Sequence, residues 1–186
     1  MSADRAADSA ADRSERADQN DGADETDERP AGERRDEVGL PVIPPSVPRQ
    51  AVAADGRVGA VAYPYRTYEA EVEVARPFMS PRRDRYIVSV DCSRRLPMRA
   101  DAFPETEVRT VEDALVLPSE LSPEQADEKA RTAAFEWTFR TSILSDVPEI
   151  EFGRVADAYK LFWLAERDDG DAIVDSVRGT ERPLDG

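Results

Sequence analysis

The 186-residue chain contains no histidine, a single cysteine and only two lysines, Lys129 and Lys160. Each scarcity excludes some chemistry. Without histidine there is no imidazole general base, no Ser-His-Asp triad and no His–carboxylate zinc site. Cys92, being alone, closes no internal disulfide. No apolar run approaches the roughly 18 residues of a membrane-crossing helix. The opening Met1-Ser-Ala-Asp-Arg lacks the apolar centre of a secretory signal. No glycine-rich phosphate loop is found, since Arg57-Val-Gly-Ala and Glu151-Phe-Gly-Arg carry single glycines. These absences predict a soluble, cytoplasmic protein with no cofactor, no metal and no membrane contact.

Acid is what the chain has in excess. There are 40 acidic residues against 25 basic ones, a net charge of −15 and a pI near 4.5. Nearly all the positive charge is arginine. Such an acidic, lysine-poor composition resembles that of archaeal halophilic proteins. In roughly molar salt the Debye length falls to about 3 Å, so the self-repulsion of the chain is screened.

The charge is unevenly distributed along the chain. Residues 1–50 carry 13 acidic and 7 basic residues and no aromatic one. Such a segment buries too little apolar surface to offset its ordering entropy, which predicts a disordered acidic tail. Leu40-Pro-Val-Ile-Pro-Pro-Ser-Val-Pro48 reads as an extended, proline-rich linker reaching to about residue 56. All 13 aromatic residues lie between Tyr63 and Trp163, which places one folded domain at 57–184.

Periodicity supplies the expected elements. The densest apolar run, Val155 to Gly179, breaks at Asp168-Asp169-Gly170 and predicts a hairpin. Its first strand has Tyr159, Leu161 and Trp163 on one face and Phe162 and Leu164 on the other, the pattern of a central strand. From Ala62 to Val74, Tyr68, Ala70, Val72 and Val74 alternate with glutamates, and Arg85–Asp91 is the expected return strand. Pro97 and Pro104 interrupt 96–111, which reads as a loop, with a turn of helix at 110–114. Ser122, Pro123 and Gln125 open a capped helix over 121–140, with Ala126, Ala130, Ala133 and Trp137 on one face. The expected fold is α+β: an antiparallel sheet of two hairpins with one main helix packed on a face, ββ-α-ββ.

The hairpins echo one another. Val88-Ser-Val-Asp91 and Ala172-Ile-Val-Asp175 each precede an arginine-containing turn. The helix opening Ser122-Pro-Glu-Gln-Ala126 and the strand-ending Val174-Asp-Ser-Val-Arg-Gly179 resemble the corresponding parts of a PepSY unit over residues 121–184. That resemblance implies a small binding or inhibitory module rather than a catalyst.

Three features are candidates for function. Cys92 lies near Arg94 and Arg95, which favour a thiolate, although a lone cysteine is more often a small buried apolar residue. Asp91 and Asp175 sit at equivalent turns, either as an acid–base pair or as strand-ending hydrogen-bond acceptors. The third is a cluster of seven arginines, Arg76, Arg82, Arg83, Arg85, Arg94, Arg95 and Arg99, opposed within the segment only by Asp84 and Asp91. Guanidinium forks grip carboxylates and phosphates, so this is the candidate contact patch. The alternative is internal pairing with Glu69, Glu71 and Glu73. The expected function is a non-catalytic binding or accessory module, a subunit or adaptor that meets a protein partner. A nucleic-acid-associated protein using residues 76–99 is the alternative, and an enzyme comes third.

Overall fold

The computed structural model describes residues 32–140 and 147–184. Among them are eight strands and one α-helix: β1 (Glu33–Val42), β2 (Val58–Arg76), β3 (Met79–Asp91), β4 (Leu96–Ala100), β5 (Glu107–Val116), α1 (Pro123–Phe139), β6 (Glu149–Ala165), β7 (Ala172–Asp175) and β8 (Glu181–Pro183). The strands form one mixed sheet in the order β4-β3-β2-β5-β1-β6-β7-β8, with β2 also paired to β6.

The long antiparallel pair β2–β6 is the spine, running from Val58↔Ala165 to Glu73↔Glu149. The expected alternation in β2 holds, with Tyr68, Ala70, Val72 and Val74 buried on one face. β3 returns along β2 after a two-residue turn at Pro77 and Phe78, where Phe78 is fully exposed with φ 63°. In β6, Leu161 and Trp163 are buried on one face and Phe162 on the other, as expected of a central strand.

Two different covers lie on the same side of this spine. Over one end packs α1. Ser122 and Gln125 form the expected capping box, and Pro123 sits in the first turn. Ala126, Ala130, Ala133 and Ala134 are small enough to bring the helix close to Tyr68, Val72, Val88 and Val90. The Tyr68 hydroxyl donates to Asp127 on the helix at 2.6 Å. Over the other end lies a β1–β5 ribbon, antiparallel from Glu33↔Val116 to Val42↔Glu107. β5 runs parallel to β2 at Ala60–Ala62, and β1 meets β6 at Val42↔Tyr159. The strands β2, β5, β1 and β6 thus close into a ring around Leu40, Val42, Ala62, Val111, Leu161 and Trp163. The Trp163 indole N–H donates to the Val47 carbonyl at 2.8 Å. On the opposite side of the spine, Val61, Tyr63, Tyr65, Phe162 and Ile173 form a third apolar cluster.

The expected ββ-α-ββ architecture of an α+β domain is overturned: the molecule is mostly β, and each hairpin continues into a third strand, β4 or β8. Residues 96–111 are not a loop, since they contain β4 and the start of β5, and Thr110–Ala114 belongs to β5 rather than to a helical turn. Prolines misled the reading here. Pro97 is tolerated because β4 pairs only with β3 and ends the sheet order. The expected tail falls in two parts. Residues 1–31 lie outside the described residues, and Glu33–Val42 is β1, so the folded unit begins well before residue 57. No helix among the described residues is long and apolar enough to cross a membrane.

Candidate functional site: a cavity between two aspartate turns

The two hairpins end in the same turn. Asp91 Oδ1 accepts the backbone N–H groups of Ser93 and Arg94, each at 3.0 Å. Asp175 Oδ1 accepts those of Val177 and Arg178, also at 3.0 Å. The fourth residue after each aspartate has a positive φ, 58° at Arg95 and 68° at Gly179. The residue following each aspartate donates its N–H across to the central strand, Cys92 to the Pro64 carbonyl at 2.9 Å and Ser176 to the Leu161 carbonyl at 3.3 Å. An aspartate suits this place because its short side chain turns back onto its own downstream backbone. The arginine third after each aspartate is thereby placed alike, and Arg94 and Arg178 line one cavity.

That cavity has a volume of about 820 Å³. Its floor is the face of the spine opposite the helix, with Tyr65, Thr67, Ser89, Phe162 and Ile173. Met98 and Ala100 come from β4, Glu181 and Arg182 come from β8, and residues 102–105 add to the lining. The residues of β4 and β8 stand at opposite ends of the strand order, so the sheet curls around this space.

The floor polar groups are already satisfied. Thr67 Oγ1 and Ser89 Oγ are 3.0 Å apart. The Tyr65 hydroxyl donates to Asp91 Oδ2 at 3.2 Å. Lys160 donates to Asp175 Oδ2 at 2.5 Å, with only 16% of its side chain exposed. It stands directly across from Tyr63 on β2, and its ammonium lies 5.0 Å from the Phe162 ring centroid. Burial by itself would lift the Asp175 carboxyl, but the Lys160 ammonium and the two backbone donors outweigh it, and the pKa falls below the ordinary carboxylate value. Burial, with the Asp91 charge beside it, pushes the Tyr65 phenol well above its usual value. Burial likewise raises the Cys92 thiol, so the thiolate expected from Arg94 and Arg95 is disfavoured. Asp91 and Asp175 act as strand-ending acceptors, each with its own partner.

The seven arginines of 76–99 do not converge. Arg82 pairs with Asp84 at 2.9 Å, Arg83 with Glu73 at 2.8 Å, Arg85 with Glu69, and Arg95 with Glu120 at 3.1 Å. Arg76 is exposed near the β2–β3 turn. Arg99 borders the cavity, but its guanidinium lies over the Tyr86 ring, 4.9 Å from the centroid. Arg94 is the member whose charge serves the cavity. It donates to the Tyr63 hydroxyl at 2.9 Å and lies over that ring, while Asp91 is 4.0 Å away. Sequence reasoning missed Lys160, Arg178 and Arg182 as its neighbours. The available signals were a lysine inside an apolar strand in a chain with two lysines, and the repeated Asp-x-x-Arg spacing.

No family model matches the chain, and neither does any curated protein or solved structure.

Proposed function

We propose that the chain is a non-catalytic binding module, an accessory subunit or adaptor of a larger assembly in a salt-rich cell, and that it binds anionic groups of its partner in the cavity between the Asp91 and Asp175 turns. One observation carries this reading. In a chain with 40 acids to 25 bases, Arg178 and Arg182 make no ion pair among the described residues, and both line the same cavity as Arg94. Cations left without an acid in such a chain leave binding capacity for an anion from outside.

The titrating groups support binding over catalysis. A general acid or base works best with a pKa near the operating pH. Asp175 is shifted down, and Tyr65 and Cys92 are shifted up, so each moves away from neutrality. The PepSY-like reading of residues 121–184 points the same way, since its helix opening is the N-terminus of α1 and its Val-Asp turn is the Asp175 turn. Nucleic-acid binding through residues 76–99 has less support, because Arg82, Arg83, Arg85 and Arg95 are already held by acids of the same chain.

The full chain, immobilised at molar salt, is expected to retain its partner from a halophile extract. R178S/R182S is expected to lose that partner, while R82S/R83S keeps it. Equal retention by both variants would sink the reading.

A further inference from the structure

We infer that the cavity holds a small carboxylate carried on an apolar body, with Arg94 and Arg178 approaching the carboxylate from the two aspartate turns. The inference rests on the reading of this cavity as the binding site, and adds the chemistry of what it takes.

Three observations converge on that ligand. First, the volume of about 820 Å³ lies within the range of roughly 300–1,000 Å³ typical of small-molecule sites. Second, the lining divides into two kinds of surface. Phe162, Ile173 and Met98 offer apolar contact, and the hydroxyls between them are internally paired, Thr67 with Ser89 and Tyr65 with Asp91. An apolar group covering that floor leaves both hydroxyl pairs intact, where breaking one would cost about 1–3 kcal/mol. Third, Arg178 and Arg182 have no acid partner among the described residues, while Arg94 donates to a neutral phenol with the Asp91 carboxylate 4.0 Å away. Guanidinium forks without a carboxylate match one bidentately.

The net charge of the ligand follows from the acids also present. Glu105 lines the cavity along with two acids already held by cations, Glu181 by Arg167 and Asp175 by Lys160. They repel a dianion more than a monoanion, which favours a carboxylate over a phosphate monoester. The repeated turn gives the arrangement its geometry. Arg94 leads into β4 and Arg178 toward β8, so the two arginines come from the two ends of the strand order and face one space.

Titration calorimetry on the full chain at molar salt tests this, with 1-naphthoate, its neutral isostere 1-naphthamide, 1-naphthyl phosphate and acetate as probes. The expected result is one naphthoate per chain, bound at least tenfold more tightly than each of the other three. R178S/R182S is expected to weaken naphthoate at least tenfold and leave naphthamide unchanged. M98S is expected to weaken naphthoate and naphthamide alike, and R83S, remote from the cavity, neither. Acetate binding as tightly as naphthoate would overturn the apolar body and leave an anion site standing. Tighter binding of naphthyl phosphate would overturn the carboxylate assignment and leave the same site standing. Naphthamide binding as tightly as naphthoate, or no binding of any probe, would overturn both this inference and the anion-binding function.

Discussion

The molecule contains two three-stranded meanders, β2-β3-β4 and β6-β7-β8, joined edge to edge through their first strands. Each begins with a long strand, and each turns its second strand into its third at an aspartate. They differ in reach and in cover. β3 follows β2 from Tyr65↔Asp91 out to Arg76↔Met79, whereas β7 pairs with β6 only from Phe162↔Asp175 to Ala165↔Ala172. α1 covers most of the first meander and the start of β6, and the β1–β5 ribbon covers the second meander and the start of β2. The same turn therefore survives under a helix and under a ribbon. The turn is specified locally, by an aspartate and a left-handed residue, and the covers are specified by what apolar surface remains.

The largest test of this comparison removes the centre of the cluster beneath the second cover. Trp163→Ala is expected to cost about 3–5 kcal/mol, since the ring is buried among ring-closing residues and its N–H holds Val47. Trp137→Ala, on the helix that forms the other cover, is expected to cost about 2 kcal/mol because that ring is only partly buried. Chemical denaturation at molar salt measures both. Equal losses would mean that the two covers are equally close-packed.

Next come the aspartates. Asp91→Ala and Asp175→Ala are each expected to cost about 1–3 kcal/mol, since each strands two part-buried backbone donors. The pair separates in the second substitution. Lys160→Met should recover part of the loss in the Asp175→Ala background, because it removes a largely buried ammonium left without its partner. The partner of Asp91 is the Tyr65 phenol, which is neutral, so Tyr65→Phe is expected to recover much less in Asp91→Ala. Equal recovery would show that the Lys160 charge is solvated.

A smaller effect is expected with pH. The Asp175 pKa is lower in the folded chain than in the unfolded one, so the unfolded state binds the proton more readily at acid pH. Its contribution is complete above the unfolded value of about 4 and is lost as pH falls through the folded value. Wild type and Asp175→Asn, compared by thermal melting from pH 6 downward, should converge in stability at the acid end. Parallel curves would show that Asp175 titrates alike in both states.

The smallest effects concern the left-handed position. Arg95→Gly is expected to stabilise by about 0.5–1 kcal/mol, since glycine takes a positive φ freely and Arg95 does not. Gly179→Ala is expected to destabilise by about 1 kcal/mol, and its Cβ would also stand 3.2 Å from Val47 Cγ2. Opposite signs at matched positions would confirm the equivalence of the turns. A loss at both would show that the Arg95–Glu120 ion pair outweighs the backbone strain.

The parts legible in the sequence were those with a local signature. β2 alternates cleanly, α1 has its capping box, and β6 is apolar on both faces, so each can be read from its own residues. β1 and β5 have no such signature. β1 leaves most of its residues exposed and buries only Leu40 and Val42 at its end. In β5, Asp113 takes a φ of 51°, and Val111 and Ala114 reach one cluster although three apart, which erases a period of two. The site was half legible for a related reason. The seven arginines of 76–99 are neighbours in sequence, yet strand pairing hands Arg83 and Arg85 to glutamates of β2, and Arg95 pairs with Glu120 ahead of the helix. Arg178 and Arg182, which join Arg94, lie far along the chain and become neighbours only when the sheet curls. The echo between the Asp91 and Asp175 turns was visible; the cavity they share depends on tertiary structure.

Ring closure also imposes an order in time. β1 leaves the ribosome first, but its partners are β5 and, at Val42↔Tyr159, a strand near the other end of the chain. The first meander can pair as it emerges, whereas β1 must wait for β5, and its contact with β6 forms only when that strand has been made. Closing so long a loop is slow relative to local pairing. Until β6 is made, Leu40 and Val42 lack the Leu161 and Trp163 side of their cluster and remain open to other chains. The charges that leave β1 without a strand signal, Glu33, Arg34, Arg35, Asp36 and Glu37, are well placed to keep the waiting strand from aggregating.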